Sequence, residues 1–249
     1  MTRICVCTRI HQNNSKSNIN INNLRLFIQK SLQYADIIAI AVGSVELLNL
    51  ISDEVGSTDK IHIFEVNPWG NFTPALNALI EFSLGGMVDV IMFQSMETIV
   101  NKNVVDRMIS HMEPEDLVVG AALNGHDFKP GETLELTGVT TPWNTLAIWN
   151  LNKLSRVGFM DVAEGKIPGI PSGVEEVTSI ATIQVLLGLE NSRAKLVYFS
   201  DVNWKTDWVD ESRIEWHKKK MESKYIRAEM QMVELGIKRG MVEHIVHVN

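Results

Sequence analysis

The sequence has few of the residues that mark specialised classes of protein. Only two of its 249 residues are cysteine and only seven are proline, so a disulfide-stapled scaffold and a proline-rich disordered chain are both excluded. The longest apolar run, residues 37–42, is far too short to span a bilayer. We expect Cys5 and Cys7 to be buried free thiols on opposite faces of one strand. We therefore expect a cytoplasmic protein in a reducing compartment.

Several signature motifs are also absent. There is no Gly-x-Gly-x-x-Gly after the first apolar run, no Gly-x-x-x-x-Gly-Lys loop and no Gly-x-Ser-x-Gly turn. A Rossmann dehydrogenase, a P-loop nucleotidase and an α/β-hydrolase are therefore disfavoured. The 23 basic and 30 acidic residues give a net charge of −7, so no global charge attracts nucleic acid or an anionic membrane.

What the sequence does contain is a regular alternation of apolar runs with segments of helical period. This order predicts an α/β protein with a mostly parallel central sheet and helices on both faces. Ligands bind such sheets at the carboxyl ends of the strands, where we expect Cys7, Gly43, Asn67, Gln94 and Glu176 to converge. The predicted strands are 3–7, 37–42, 61–66, 88–93, 117–123 and 195–199. The predicted helices are 24–34, 45–55, 74–84, 104–112, 151–157 and 176–189.

The composition changes after residue 203. Residues 204–249 hold nine basic and eight acidic residues, and the rest of the chain carries the negative charge. We therefore predict a sheet domain at 1–203 and a helical extension at 204–249. The extension has an apolar stripe that packs either on the sheet domain or in a homodimer, and Gly236 and Gly240 would end the helix. The stripe comprises Ile214, His217, Met221, Tyr225, Ala228, Met232 and Leu235.

Three segments contain candidate functional residues. Residues 67–77, NPWGNFTPALN, lead into a predicted helix whose N-terminal N–H groups could hold a phosphate. The simpler interpretation is a helix capped by Thr73, with Pro74 at the first helical position. Residues 90–97, VIMFQSME, end a strand with Ser95 and Glu97. Residues 138–186 include a Gly/Pro-rich loop at 165–173, which could close over a ligand, and then Glu175 and Glu176 at a helix start.

Taken in order, these segments resemble the inverting, family-2-like glycosyltransferases of the GT-A fold. The resemblance covers residues 1–200 and implies a nucleotide diphosphate sugar as donor. It places Ser95 and Glu97 where the family has the Asp-x-Asp carboxylates that hold Mn²⁺ or Mg²⁺. Glu176 falls on the family's catalytic base, with Glu175 beside it. The other donor-binding residues that the resemblance implies are Thr8, Arg9 and Asn77.

Ser95 departs from the family's pattern, because a hydroxyl is a poor substitute for a carboxylate on a hard cation. We expect the divalent cation to be weakly held or absent, with Glu97 as its one charged protein ligand. A Glu-Glu pair at a helix start suits the chemistry: the helix dipole favours carboxylates there, and crowding raises at least one pKa. The alternative is an acidic pair that only stabilises its helix.

The leading hypothesis is a glycosyltransferase that acts with inversion on an unknown hydroxyl acceptor. The rival hypothesis is a non-catalytic GT-A-like binding or assembly module that has lost its metal site. A nucleotidyltransferase of related topology is the third option.

Overall fold

The computed structural model describes residues 2–10, 19–56, 58–202 and 211–248, with the backbone alone for 211–222. Its strands are β1 (Ile4–Ile10), β2 (Ile37–Val42), β3 (Ile61–Glu65), β4 (Val90–Gln94), β5 (Asp116–Ala121), β6 (Thr133–Glu135), β7 (Leu146–Asn150), β8 (Arg193–Tyr198) and β9 (Met241–Val246). Its helices are α1 (Ile21–Ser31), α2 (Val45–Val55), α3 (Thr73–Gly85), α4 (Lys102–Ser110), α5 (Leu151–Leu154), α6 (Glu175–Leu187) and α7 (Glu211–Leu235). Short 3₁₀ helices occupy Asp161–Glu164 and Leu189–Asn191.

The strands described form one sheet in the order β3-β2-β1-β4-β7-β5-β8-β9-β6. The pairs β3-β2, β2-β1, β1-β4, β5-β8 and β8-β9 are parallel. Only β7, between β4 and β5, and the edge strand β6 run antiparallel to their neighbours. The predicted mostly parallel sheet is confirmed.

The sheet has a hydrophobic core on each face, because its central strands bury apolar side chains on both faces. One core packs the sheet against α3, α5, α6 and α7, and the other packs it against α1, α2 and α4. Cys5 and Cys7 both belong to the first core, whereas Val6 belongs to the second. The expectation that the two cysteines face opposite sides was wrong: alternate residues of a strand share a face, and the two free thiols lie 3.6 Å apart.

The structure contains three strands that we did not predict, namely β6, β7 and β9. β9 pairs with β8, so the segment after residue 203 adds a strand to the sheet besides its helix α7. Ala228 and Met232 of the predicted stripe are each 3% exposed and belong to the chain's own core. A homodimer contact through α7 would therefore not involve these two side chains. The side chains of Ile214, His217 and Met221 lie outside the described residues.

Within the described ranges, no helix combines the length and the apolar composition that crossing a membrane requires.

Candidate functional site

A cavity of about 240 Å³ opens where β1 and β4 end and β7 begins. This is the carboxyl edge of the parallel strands, where sites of α/β sheets form. Residues from the loops before α3 and α6, and from α7, complete its wall. The lining comprises Cys7, Thr8, Arg9, Phe72, Leu76, Leu79, Phe93, Gln94, Ser95, Trp143, Asn144, Thr145, Gly173, Val174, Glu175, Glu176, Lys224 and Arg227.

The structure brings together five of the seven side chains singled out from the sequence. Those that line the cavity are Thr8, Arg9, Ser95, Glu175 and Glu176.

Asn77 and Glu97 do not line the cavity. Asn77 connects two chain segments: its Nδ2 donates to Phe159 O at 2.9 Å, and its Oδ1 accepts from Phe159 N at 2.8 Å. Both amide atoms are therefore used in holding the turn before the 3₁₀ helix Asp161–Glu164. Glu97 is exposed, and its backbone N–H donates to Ser95 Oγ at 3.2 Å.

An unusual backbone conformation precedes the two glutamates. Gly173 has φ +95° and Val174 has φ +54°, the left-handed region that a β-branched residue rarely adopts. Strain of this kind persists where the surrounding structure holds it, and it concentrates at functional sites. Here it directs the chain into the first turn of α6, where Glu175 and Glu176 are each only 6% exposed.

Glu176 has a perturbed acidity. Burial, followed by the neighbouring charge of Glu175, raises the pKa of Glu176 from 4.5 to about 7. A hydrogen bond from Asn144 N to Glu176 Oε1, at 2.7 Å, and the charge of Lys224 oppose this shift in pKa. A carboxylate with a pKa near neutrality, placed in a cavity, is suited to accept a proton.

Asn144 presents a buried donor beside Glu176. Trp149 Nε1 donates to Asn144 Oδ1 at 3.0 Å, which fixes the orientation of the amide. The remaining Nδ2 is buried and has no acceptor among the described residues. Because buried polar groups are nearly always satisfied, this donor is available to an oxygen of a bound ligand or of a water molecule.

The N-terminus of α3 does not offer the free phosphate site that we considered. Residue Phe72 occupies the N-cap position, and no side chain of its own caps the helix. Instead the buried carboxylate of Glu164 accepts the backbone N–H groups of Asn71, Phe72 (2.9 Å) and Thr73 (2.8 Å), and the Thr73 hydroxyl at 3.1 Å. Thr73 is the first helical residue rather than the cap. A protein carboxylate already satisfies these donors.

Two residues of α7 complete the cavity, and the sequence reasoning missed them. Lys224 Nζ lies 3.2 Å from the centre of the Trp143 ring. The Trp143 ring also stacks on the ring of His126, and the two ring centres are 3.6 Å apart. Arg227 Nη1 donates to Ser172 O at 3.2 Å. The spacing of three places both cations on one face of the helix. The sequence signal was the basic content of residues 204–249.

The residues present do not fit a divalent cation held by the protein. At the positions of the family's two aspartates stand Ser95, whose hydroxyl accepts the Glu97 N–H, and Glu97, which is exposed and outside the cavity. Throughout the part of the chain that the structure describes, no three His, Cys, Asp or Glu side chains cluster as metal ligands would. Mg²⁺ and Mn²⁺ favour carboxylate oxygens, and this pair of positions supplies at most one.

No family model matches the sequence, and no curated protein matches it. Solved structures do match the fold. One is a mannosyltransferase from Pyrobaculum calidifontis in complex with GDP-Man and Mn²⁺, with a TM-score of 0.61 and 10% identity over 93% of this chain. The chain has a GT-A fold. It covers 64% of that mannosyltransferase, so it spans less than two thirds of that protein.

Two further structures match the fold of this chain over most of both chains. A putative nucleotide-diphospho-sugar transferase from Desulfovibrio desulfuricans matches with a TM-score of 0.50 and 11% identity, over 95% of this chain and 96% of that one. A 4-diphosphocytidyl-2C-methyl-D-erythritol synthase from Anaerococcus prevotii matches with a TM-score of 0.52 and 9% identity, over 89% and 99%. At these identities the likeness concerns the fold alone.

Proposed function

We propose that this protein transfers a glycosyl group, with inversion, from a nucleotide diphosphate sugar to a hydroxyl acceptor. The observation that carries the proposal is Glu176, a cavity carboxylate whose pKa is raised to about 7. It lies at the start of α6 beside Glu175, at the carboxyl edge of a GT-A sheet. An acid–base group tuned to neutral pH is what hydroxyl activation requires.

The chemistry proceeds in one displacement. The acceptor hydroxyl oxygen attacks the anomeric carbon from the side opposite the nucleotide and forms the new glycosidic bond. Glu176 accepts the proton of that hydroxyl, while the bond from the anomeric carbon to the diphosphate oxygen breaks. The nucleoside diphosphate leaves with the bonding electrons. Asn144 Nδ2, buried and without an acceptor among the described residues, would donate to an oxygen of the bound substrate.

Two other functions remain open. Nucleotidyl transfer is favoured by the erythritol synthase, which this chain matches over nearly all of its length. A binding module without catalysis is favoured by the altered metal-site positions Ser95 and Glu97.

We also propose a cytoplasmic location, because Cys5 and Cys7 are free thiols. We further propose that the chain divides into a domain at 1–203 and an extension at 204–249, and that two copies form a homodimer.

The test is a donor screen followed by an activity assay. The purified chain is incubated with a panel of nucleotide diphosphate sugars and a panel of sugar and alcohol acceptors, with Mn²⁺ or with EDTA, and release of nucleoside diphosphate is measured. We expect one donor to be turned over and Glu176→Gln to lose it. Glu190→Gln is the matched control, because Glu190 is exposed beyond the end of α6 and should leave turnover unchanged. Pyrophosphate release from nucleoside triphosphates would indicate nucleotidyl transfer, and binding without turnover would favour the module.

A further inference from the structure

The cavity is cationic although the protein as a whole is acidic. Three basic side chains line it, Arg9, Lys224 and Arg227, against two carboxylates, Glu175 and Glu176. The chain as a whole has a net charge of −7. No aspartate and no further glutamate belongs to the described lining. A local excess of positive charge in a concave site of an acidic protein indicates an anionic ligand.

Arg9 and Arg227 both lie in the neighbourhood of Phe72. The Arg9 guanidinium carbon is 4.8 Å from the centre of the Phe72 ring, and Arg9 Nη1 donates to Asn71 O at 2.8 Å. A Cβ built on Gly173 would lie 3.3 Å from Arg227 Nη1 and 3.7 Å from Phe72 Cζ. Because Gly173 has no side chain, the space beside Arg227 Nη1 and Phe72 stays open.

Each guanidinium is oriented and yet keeps donors for a ligand. A guanidinium has five N–H donors, and one nitrogen each of Arg9 and Arg227 is used on a backbone carbonyl. The carbonyl bond fixes the direction of the planar group, and the remaining N–H groups match the oxygens of a phosphate. Lys224, one helical turn from Arg227, adds a third positive charge to the same cavity.

We propose that Arg9, Lys224 and Arg227 bind the diphosphate of the donor directly, in place of a divalent cation held by the protein. This inference rests on the proposed function and names how that same site recognises its ligand. The three cations supply the charge that a departing diphosphate needs, and preorganised cations in a partly enclosed site stabilise it strongly. Ser95 and Glu97 stand at the positions of the family's metal-binding aspartates and supply at most one carboxylate. This agrees with a diphosphate that is bound by cationic side chains.

The test is calorimetric titration of the 249-residue chain with UDP, GDP, CDP and ADP, in EDTA and in Mn²⁺. We expect at least one nucleoside diphosphate to bind in EDTA within threefold of its affinity in Mn²⁺. Lys224→Met and Arg227→Met should each weaken that binding about tenfold or more. The control is Lys238→Met, at an exposed position outside the cavity, which should not change the affinity.

The effect of a lost charge on binding must be distinguished from a folding defect and from a failure of the proposed glycosyl transfer. Lys224→Arg retains the charge and should bind within threefold of the wild type, and circular dichroism with thermal unfolding checks that each variant folds. Binding that requires Mn²⁺, or unchanged affinity in both methionine variants, would overturn the inference while leaving glycosyl transfer in place. Binding in EDTA without turnover of any donor would uphold it and defeat glycosyl transfer. Binding of no nucleotide in either buffer would overturn both.

Discussion

Glu164 Oε2 accepts both the backbone N–H of Thr73, at 2.8 Å, and its hydroxyl, at 3.1 Å. The carboxylate thus caps a helix 91 residues away along the chain and fixes the loop that carries Phe72 into the cavity. Burial raises the pKa of Glu164, but the donors Asn71, Thr73 and Phe72 outweigh that effect and lower the pKa overall. The same contact holds the beginning of the 165–173 loop against the sheet domain.

We expect Glu164→Gln to lower the free energy of unfolding by about 2–3 kcal/mol at pH 7, because an amide presents a donor where four donors converge. A carboxyl whose pKa is lowered on folding stabilises the native state above its unfolded pKa and loses this contribution as pH falls through the folded value. The difference from the wild type should therefore shrink below about pH 4.5. Urea unfolding between pH 3 and 8 measures it.

The control for that series is Glu81→Gln, which changes an exposed glutamate of α3, the helix that Glu164 caps. It should alter stability by less than about 0.5 kcal/mol. A Glu164→Gln protein as stable as this control would show that the capping contact contributes nothing.

Glu176→Gln should have the opposite effect on stability. A carboxyl with a raised folded pKa destabilises the native state as pH rises above its unfolded value, because the folded chain retains a proton that the unfolded chain releases. A rise from 4.5 to about 7 corresponds to at most about 3 kcal/mol. We expect the variant to be more stable than the wild type by about 1–3 kcal/mol at pH 8 and equal to it below pH 4.5. Equal stability at pH 8 would mean that the site does not disfavour the charge.

Gly173 can be tested against a second glycine of the same loop. Both Gly173 and Gly169 have positive φ, +95° and +82°, but a Cβ on Gly169 meets nothing within 4 Å. Each alanine variant should lose about 1 kcal/mol of stability from the backbone conformation. Only Gly173→Ala should also weaken nucleotide binding, because its Cβ presses on Arg227 Nη1. Equal binding losses in both variants would assign the effect to the loop backbone.

The sequence predicted the fold where the pattern was local. The bounds of β2 and α2 coincide with the prediction, because a continuous apolar run and a helix capped by Ser44 are both short-range signals. β9 was missed because its signal is weak: Val242 and His244 are buried and alternate with partly exposed residues. An alternation this short indicates a strand only when its pairing with β8 is known.

The candidate site was predictable only in part, for similar reasons. Glu175 and Glu176 were found because an acidic pair at a helix start falls where the resembling family carries its catalytic base. Lys224 and Arg227 were not, because their helix reaches the cavity through long-range packing: the backbone of Lys224 lies so close to Gly138 that a side chain there would collide with it. Glu164 was missed because nothing in the sequence connects it with a helix so distant along the chain.

The central claim, that Glu176 is the base of glycosyl transfer, is tested most directly by the pH dependence of kcat/KM. With the donor found by screening, the wild-type value should rise about tenfold per pH unit below pH 7 and level off above it, because only the ionised carboxylate accepts a proton. Glu176→Gln should lose about 10²–10⁴-fold in kcat/KM together with this pH dependence, at nearly unchanged donor affinity. A variant that keeps the wild-type rate, or the same rise with pH, would contradict the account.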